Sequence, residues 1–113
     1  MIYPLAYSTW GKEEVEAIQK VIDTDMYTMG KHVKQFEQEF ANMFGSQNAI
    51  MVNSGSSANL LMLSLLKWKY KLTGDIIVPV IGWATTYFPI AQNGFKINFV
   101  DVDPNTWNID VNK

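Results

Sequence analysis

The strongest chemical signal in the chain is Asn53-Ser54-Gly55-Ser56-Ser57-Ala58-Asn59, placed between a short apolar run and a long apolar stretch. If a helix starts here, its first turn offers free backbone N–H groups and about half a positive charge, which together bind phosphate. Gly55 lets backbone approach an anion closely, and the Ser56 and Ser57 hydroxyls add donors. The same residues also make a plain strand-to-helix turn with a serine cap, and both readings stand. Neither the P-loop pattern nor the Gly-x-Gly-x-x-Gly fingerprint is present. That argues against a nucleoside triphosphate or a dinucleotide held in those two ways. A second signal is Trp83, after Gly82 and just beyond the apolar run Ile76-Ile77-Val78-Pro79. The carboxyl ends of parallel strands are where open α/β sheets bind ligands. A Trp there either stacks on a flat heteroaromatic ring or covers the rim of the core. A phosphate cradle beside a ring platform points to a phosphorylated aromatic ligand.

Other chemistry-bearing residues carry less. Asp101 and Asp103 read as capping and turn formation around Pro104, and His32 as a surface residue without a partner. Phe36, Phe40 and Phe44 form a helical stripe that is either core or a subunit contact. The chain has no Cys and a single His, which excludes disulfide scaffolds, thiol catalysis, Cys-based zinc sites and a His cluster. Nine basic against 11 acidic residues give a net charge of -2, too weak a field for a nucleic-acid footprint.

At 113 residues, 48% hydrophobic and 18% charged, with a mean hydropathy of -0.04, the composition is that of a globular domain. The longest apolar run, residues 60–66, is too short to span a bilayer, and residues 1–5 do not resemble a leader. A soluble, cytoplasmic protein without a membrane partner is expected.

The periodicity predicts a helix over 12–24, acidic in its first turns and capped by Ser8 or Thr9. A loop over 25–30 leads to a second helix over 31–44, closed by Gly45 in a left-handed cap. Residues 49–52 read as a buried strand and 53–57 as a small-residue turn. Residues 58–71 then read as a largely buried helix with Lys67, Lys69 and Lys71 near its end. A second buried strand is expected at 76–79. A helix over 84–92 follows, with Pro89 predicting a kink or a late start, and a third strand at 96–101. Strand, helix, strand, helix, strand with short links argues for a parallel sheet with right-handed crossovers. The chain therefore divides into an N-terminal helical segment, 1–47, and an α/β segment, 48–113.

Four stretches, Val33-Lys34-Gln35-Phe36-Glu37, Asn53-Ser54-Gly55-Ser56-Ser57-Ala58-Asn59-Leu60, Gly74-Asp75-Ile76-Ile77-Val78-Pro79 and Phe99-Val100-Asp101-Val102-Asp103, stand in a telling order and spacing. Together they resemble the N-terminal part of sugar aminotransferases of the DegT–StrS type. These depend on pyridoxal phosphate (PLP) and have the fold-type-I, aspartate aminotransferase-like architecture. The resemblance covers essentially the whole chain. Ser54-Gly55-Ser56-Ser57-Ala58-Asn59-Leu60-Leu61 is closer to the deoxygenating branch of that family than to its transaminases. The opening Tyr3-Pro4-Leu5-Ala6, Ser8-Thr9-Trp10 and the loop Met26-Tyr27-Thr28-Met29-Gly30 point the same way.

The resemblance implies an incomplete three-layer large domain of that fold. Gly55, Ser56 and Ser57 would hold the phosphate of PLP or of pyridoxamine phosphate (PMP), and Trp83 would stack on its pyridine ring. Met26, Tyr27, Thr28, Met29 and Gly30 would lie near a nucleotide-linked 4-keto-6-deoxy sugar or the partner subunit of a homodimer. The expected activity is removal of the sugar's C3 hydroxyl in deoxysugar biosynthesis. The alternative is a nucleotide-sugar aminotransferase, and a non-catalytic module is the third reading. In the family, the acidic partner of the pyridinium nitrogen and the Lys or His under the cofactor lie beyond position 113. No lysine here has the desolvated pocket that a Schiff-base lysine needs. The resemblance thus implies a cofactor cradle without its catalytic residue, a portion of a larger enzyme.

Overall fold

A computed structural model describes residues 3, 4 and 6–113. The readings that touch Met1, Ile2 and Leu5 lie outside the described residues to that extent. The chain forms two compact units, Met1–Met51 and Val52–Lys113. The first holds α1 (Lys12–Ile22) and α2 (Lys31–Met43); the second runs α3 (Gly55–Trp68), β1 (Asp75–Pro79), α4 (Ala84–Gln92) and β2 (Lys96–Val100).

In the first unit, α1 begins at Gly11, whose extended backbone makes it the N-cap. Glycine has no side chain to cap with, so the Gly11 N–H donates instead to Glu14 Oε2 at 2.6 Å. The cap expected from Ser8 or Thr9 is therefore replaced by a carboxylate reaching back from the first turn. α2 ends as expected. Gly45 sits at φ +65, Ser46 N–H donates to the Ala41 carbonyl at 2.9 Å, and Gly45 N–H donates to that of Asn42 at 3.2 Å. That pair of bonds is the Schellman closure, which needs a left-handed residue. Phe36, Phe40 and Phe44 stack in sequence with centroids 5.6 and 4.6 Å apart, yet all three stay about half exposed.

Residues 49–52 form no strand. A strand exists only through the neighbour that completes its hydrogen bonds, and none pairs with this run among the described residues. Its backbone is held otherwise: Met51 N–H donates to Glu37 Oε1 on α2 at 2.8 Å.

In the second unit β1 and β2 pair in parallel, Asp75 opposite Lys96 through Pro79 opposite Val100. α4 is the crossover between them and packs on β2 and on α3. Val78, Pro89 and Ile90 form the buried centre. α4 starts at Ala84 and runs through Pro89, so the proline does not delay it. α3 departs further from expectation, starting at Gly55 and ending at Trp68. Nor is it largely buried: no α3 residue is fully covered, and Leu61, Met62 and Leu65 are about half exposed. Rich in leucine, it has α4 as the one element packed extensively along it among the described elements. The two strands are likewise mostly part-covered, with Val78 their one buried residue.

At the start of the sheet Asp75 Oδ2 accepts from Lys96 Nζ at 3.1 Å and from Asn98 Nδ2 at 2.8 Å. The Lys96 bond first, and that of Asn98 next, hold its carboxyl below the ordinary value. The Gly11 N–H does the same for Glu14. A carboxyl lowered in the folded state gives stability that is present above the ordinary carboxylate range, about pH 4. That stability is lost as pH falls through the folded values. In the complete protein the urea midpoint should hold between about pH 7 and 5 and drop toward about pH 3, and Asp75→Asn should flatten the drop. An acid-insensitive midpoint would remove both contacts from the stability of the fold.

Candidate phosphate cradle and ring platform

The first turn of α3 is built by its own serines and asparagine. Ser54 is the N-cap, and its Oγ accepts from Ser57 N–H at 3.2 Å, while its carbonyl takes the Ala58 N–H at 3.1 Å. Ser57 Oγ donates to Asn53 Oδ1 at 2.6 Å and accepts from Ser54 Oγ at 3.2 Å. These bonds leave the Gly55 and Ser56 N–H groups and the Ser56 hydroxyl uncommitted among the described residues. Three donors at a helix N-terminus suit a dianion. Ser57 is different, because its proton is already given to Asn53; it braces the turn.

Gly55 bears directly on whether a phosphate fits. Its backbone is not in the left-handed region, and a Cβ built on it meets nothing within 4 Å. Neither conformation nor packing within the chain calls for glycine there. An anion seated on the N–H groups does call for it, because a side chain would take up the space of approach.

Ser56 and Ser57 also line a hollow of about 190 Å³ with Leu60 of α3 and Thr85, Phe88, Pro89 and Gln92 of α4. None of these residues is an acid or base. The hollow can bind and orient, but it cannot move a proton near neutral pH. The α4 side of the hollow exists only through the packing of α4 on α3, which no local pattern in the sequence marks.

Trp83 follows the loop after β1 and is the N-cap of α4. Its indole is 77% exposed and does not line the hollow. The structure thus gathers Ser56 and Ser57 with α4 and leaves Trp83 as a free aromatic face. The loop before it leaves β1 at Pro79, whose carbonyl accepts from the Tyr87 hydroxyl at 2.8 Å. The same hydroxyl stands where a Gly82 Cβ would go, so a larger residue at 82 would have to push Tyr87 off the Pro79 carbonyl.

In the first unit Met26, Tyr27, Thr28 and Gly30 line a hollow of about 240 Å³ with Val21, Thr24, Lys31, His32 and Val33. The turn is tight: Gly30 N–H donates to the Thr28 carbonyl at 2.6 Å, and Met26 Cγ stands 2.9 Å from a Cβ built on Gly30. Met29 is exposed and outside that lining. Lys67 is tied to the Asn93 carbonyl and lies 5.4 Å from the centre of the Phe95 ring, and so is a structural cation.

Residues 8–113 match the DegT/DnrJ/EryC1/StrS aminotransferase family. The chain belongs to this family. Within it, the chain is 51% identical over 115 aligned residues to a GDP-4-keto-6-deoxy-D-mannose 3-dehydratase of Yersinia pseudotuberculosis, covering 98% of this chain and 29% of that protein. It is 53% identical to the enzyme of the same name from Escherichia coli O55:H7, covering 96% of this chain and again 29% of the other. A solved E. coli GDP-4-keto-6-deoxy-D-mannose-3-dehydratase with bound hydrated PLP superposes with a TM-score of 0.88 at 52% identity, covering 98% of this chain and 30% of that one. The helices and small parallel sheet are thus part of an α/β fold shared with PLP-dependent family members. The chain spans under a third of the length of these relatives. Among the described residues, no helix is long and apolar enough to cross a membrane.

Proposed function

We propose that this chain is the cofactor-cradle portion of a PLP/PMP-dependent nucleotide-sugar 3-dehydratase. The observation that carries the reading is Gly55, a glycine that neither conformation nor packing in the chain requires, beside three uncommitted donors on the first turn of α3. The Gly55 and Ser56 N–H groups and the Ser56 hydroxyl hold the cofactor phosphate, with Ser57 bracing the turn through Asn53. Trp83 offers its exposed face to the pyridine ring. The bound cofactor supplies an electron sink for loss of the C3 hydroxyl from the sugar. The residues here bind and orient; none is an acid or base at the hollow, so the catalytic residue belongs elsewhere in the enzyme.

The architecture we assign is the fold-type-I large domain, with 1–47 as a helical lead-in and 48–113 as the start of the PLP-binding part. The substrate is a GDP-linked 4-keto-6-deoxy sugar, on the identity of 51–53% to enzymes named for that substrate. Residues 26–30 line the substrate or the partner subunit of a homodimer, and the enzyme works in the cytoplasm. The same identity favours dehydration over amination.

Titration of the complete apoenzyme with PLP tests the cradle. Ser56→Ala should weaken binding by about 1.5–2 kcal/mol, a hydrogen bond to a charged group. Trp83→Ala should shift the cofactor absorbance band while leaving the phosphate anchored, and Trp83→Phe should recover most of the lost affinity. Wild-type affinity in Ser56→Ala and an unmoved band in Trp83→Ala would both contradict the assignment.

A further inference from the structure

Asn93 is the buried polar residue of the second unit, 8% exposed, directly after α4. Its side chain bonds in two directions. Nδ2 donates to the Pro89 carbonyl of α4 at 2.9 Å, and Oδ1 accepts from the Ser64 hydroxyl of α3 at 3.0 Å. Its own carbonyl accepts from Lys67 Nζ, also on α3. One residue therefore ties the end of α4 to two successive turns of α3.

Ser57, Leu60, Ser64 and Lys67 recur at helical spacing, so the bonded residues share a face with those that line the hollow. Pro89, which receives Asn93 Nδ2, is itself a lining residue. Most of α3 is apolar, and apolar packing alone fixes neither the rotation nor the slide of one helix on another. A bonded polar contact does, because another register would leave the buried Asn93 Oδ1 without its Ser64 partner.

We infer that Asn93, through Ser64 and Lys67, is a positioning residue for the phosphate cradle. By locking α3 to α4 it sets the gap between Ser56 and Ser57 on one wall and Thr85 and Phe88 on the other. The inference rests on the cradle reading above, and the experiment separates the two.

In the complete apoenzyme, PLP affinity and the urea midpoint are measured for Ser64→Ala, Ser64→Thr, Ser56→Ala and the double variant Ser56→Ala/Ser64→Ala. Ser64→Ala should weaken PLP binding roughly tenfold, one hydrogen bond's worth passed on to the cradle, and Ser64→Thr, which keeps the hydroxyl, should restore it. The double variant should bind PLP about as well as the weaker single one, while its losses in urea midpoint add. Lys67→Met cuts the second tie, should lower affinity severalfold, and stands in if Ser64→Ala does not fold. If Ser64→Ala and Lys67→Met keep wild-type affinity while Ser56→Ala loses it, the lock is only structural and the positioning role is overturned. Unchanged affinity in Ser56→Ala would instead overturn the cradle, and the positioning role with it.

Discussion

Gly55→Val in the complete enzyme should nearly abolish cofactor binding while leaving the protein folded. A Cβ at Gly55 meets nothing within 4 Å, and the backbone there is one that any residue adopts. None of the described residues obstructs the side chain. A phosphate does not, because the isopropyl group would stand over the Gly55 and Ser56 N–H groups and block two charge-assisted hydrogen bonds. At the low end of their range these are worth about 3 kcal/mol, more than a hundredfold in affinity. Gly55→Ala sharpens the test: shedding unfolded-state freedom should stabilise the apoprotein by about 0.4–1 kcal/mol. Yet it too should bind PLP more weakly. Two variants that bind PLP normally would remove the phosphate from this turn.

Made alone, the 113 residues should associate or melt without a sharp transition, and should show neither dehydratase nor transaminase activity. Two separate compact bodies of the sizes seen here would expose roughly 7,500 Å² in all. The chain exposes 9862 Å². Large apolar side chains contribute to it, with Phe36, Phe40, Phe44, Leu61, Met62 and Leu65 all half exposed or nearly so. Beside a buried centre of Val78, Pro89 and Ile90, that surface favours contact with other copies. The two-stranded sheet adds open edges on β1 and β2. A monodisperse monomer at micromolar concentration with a cooperative melt would contradict this and favour an independent module.

What could be read in the sequence was whatever local chemistry decides. Gly45 ends α2, Asn93 and Gly94 end α4, and β2 follows because each signal acts within a few residues. The run 49–52 misled because a strand is not a local object; its composition fits one, but its hydrogen bonds need a neighbour. The start of α3 was missed by three residues because Ser54, Ser56 and Ser57 are all competent caps. Only geometry shows that Ser54 takes the role. That choice matters for the site, since it moves Gly55, Ser56 and Ser57 from a preceding turn into the helix itself. The hydroxyls and Trp83 were legible as chemistry by type and place. The wall from Thr85, Phe88, Pro89 and Gln92 was not, because only the packing of α4 on α3 brings it there.

Whether this cradle serves a 3-dehydratase is decided by the product the complete enzyme makes. With PMP bound and GDP-4-keto-6-deoxy-D-mannose supplied, mass spectrometry and NMR of the sugar should show oxygen lost from C3 and no nitrogen retained. A product that keeps its C3 hydroxyl and carries an amino group at C4 would contradict the account and make the enzyme an aminotransferase.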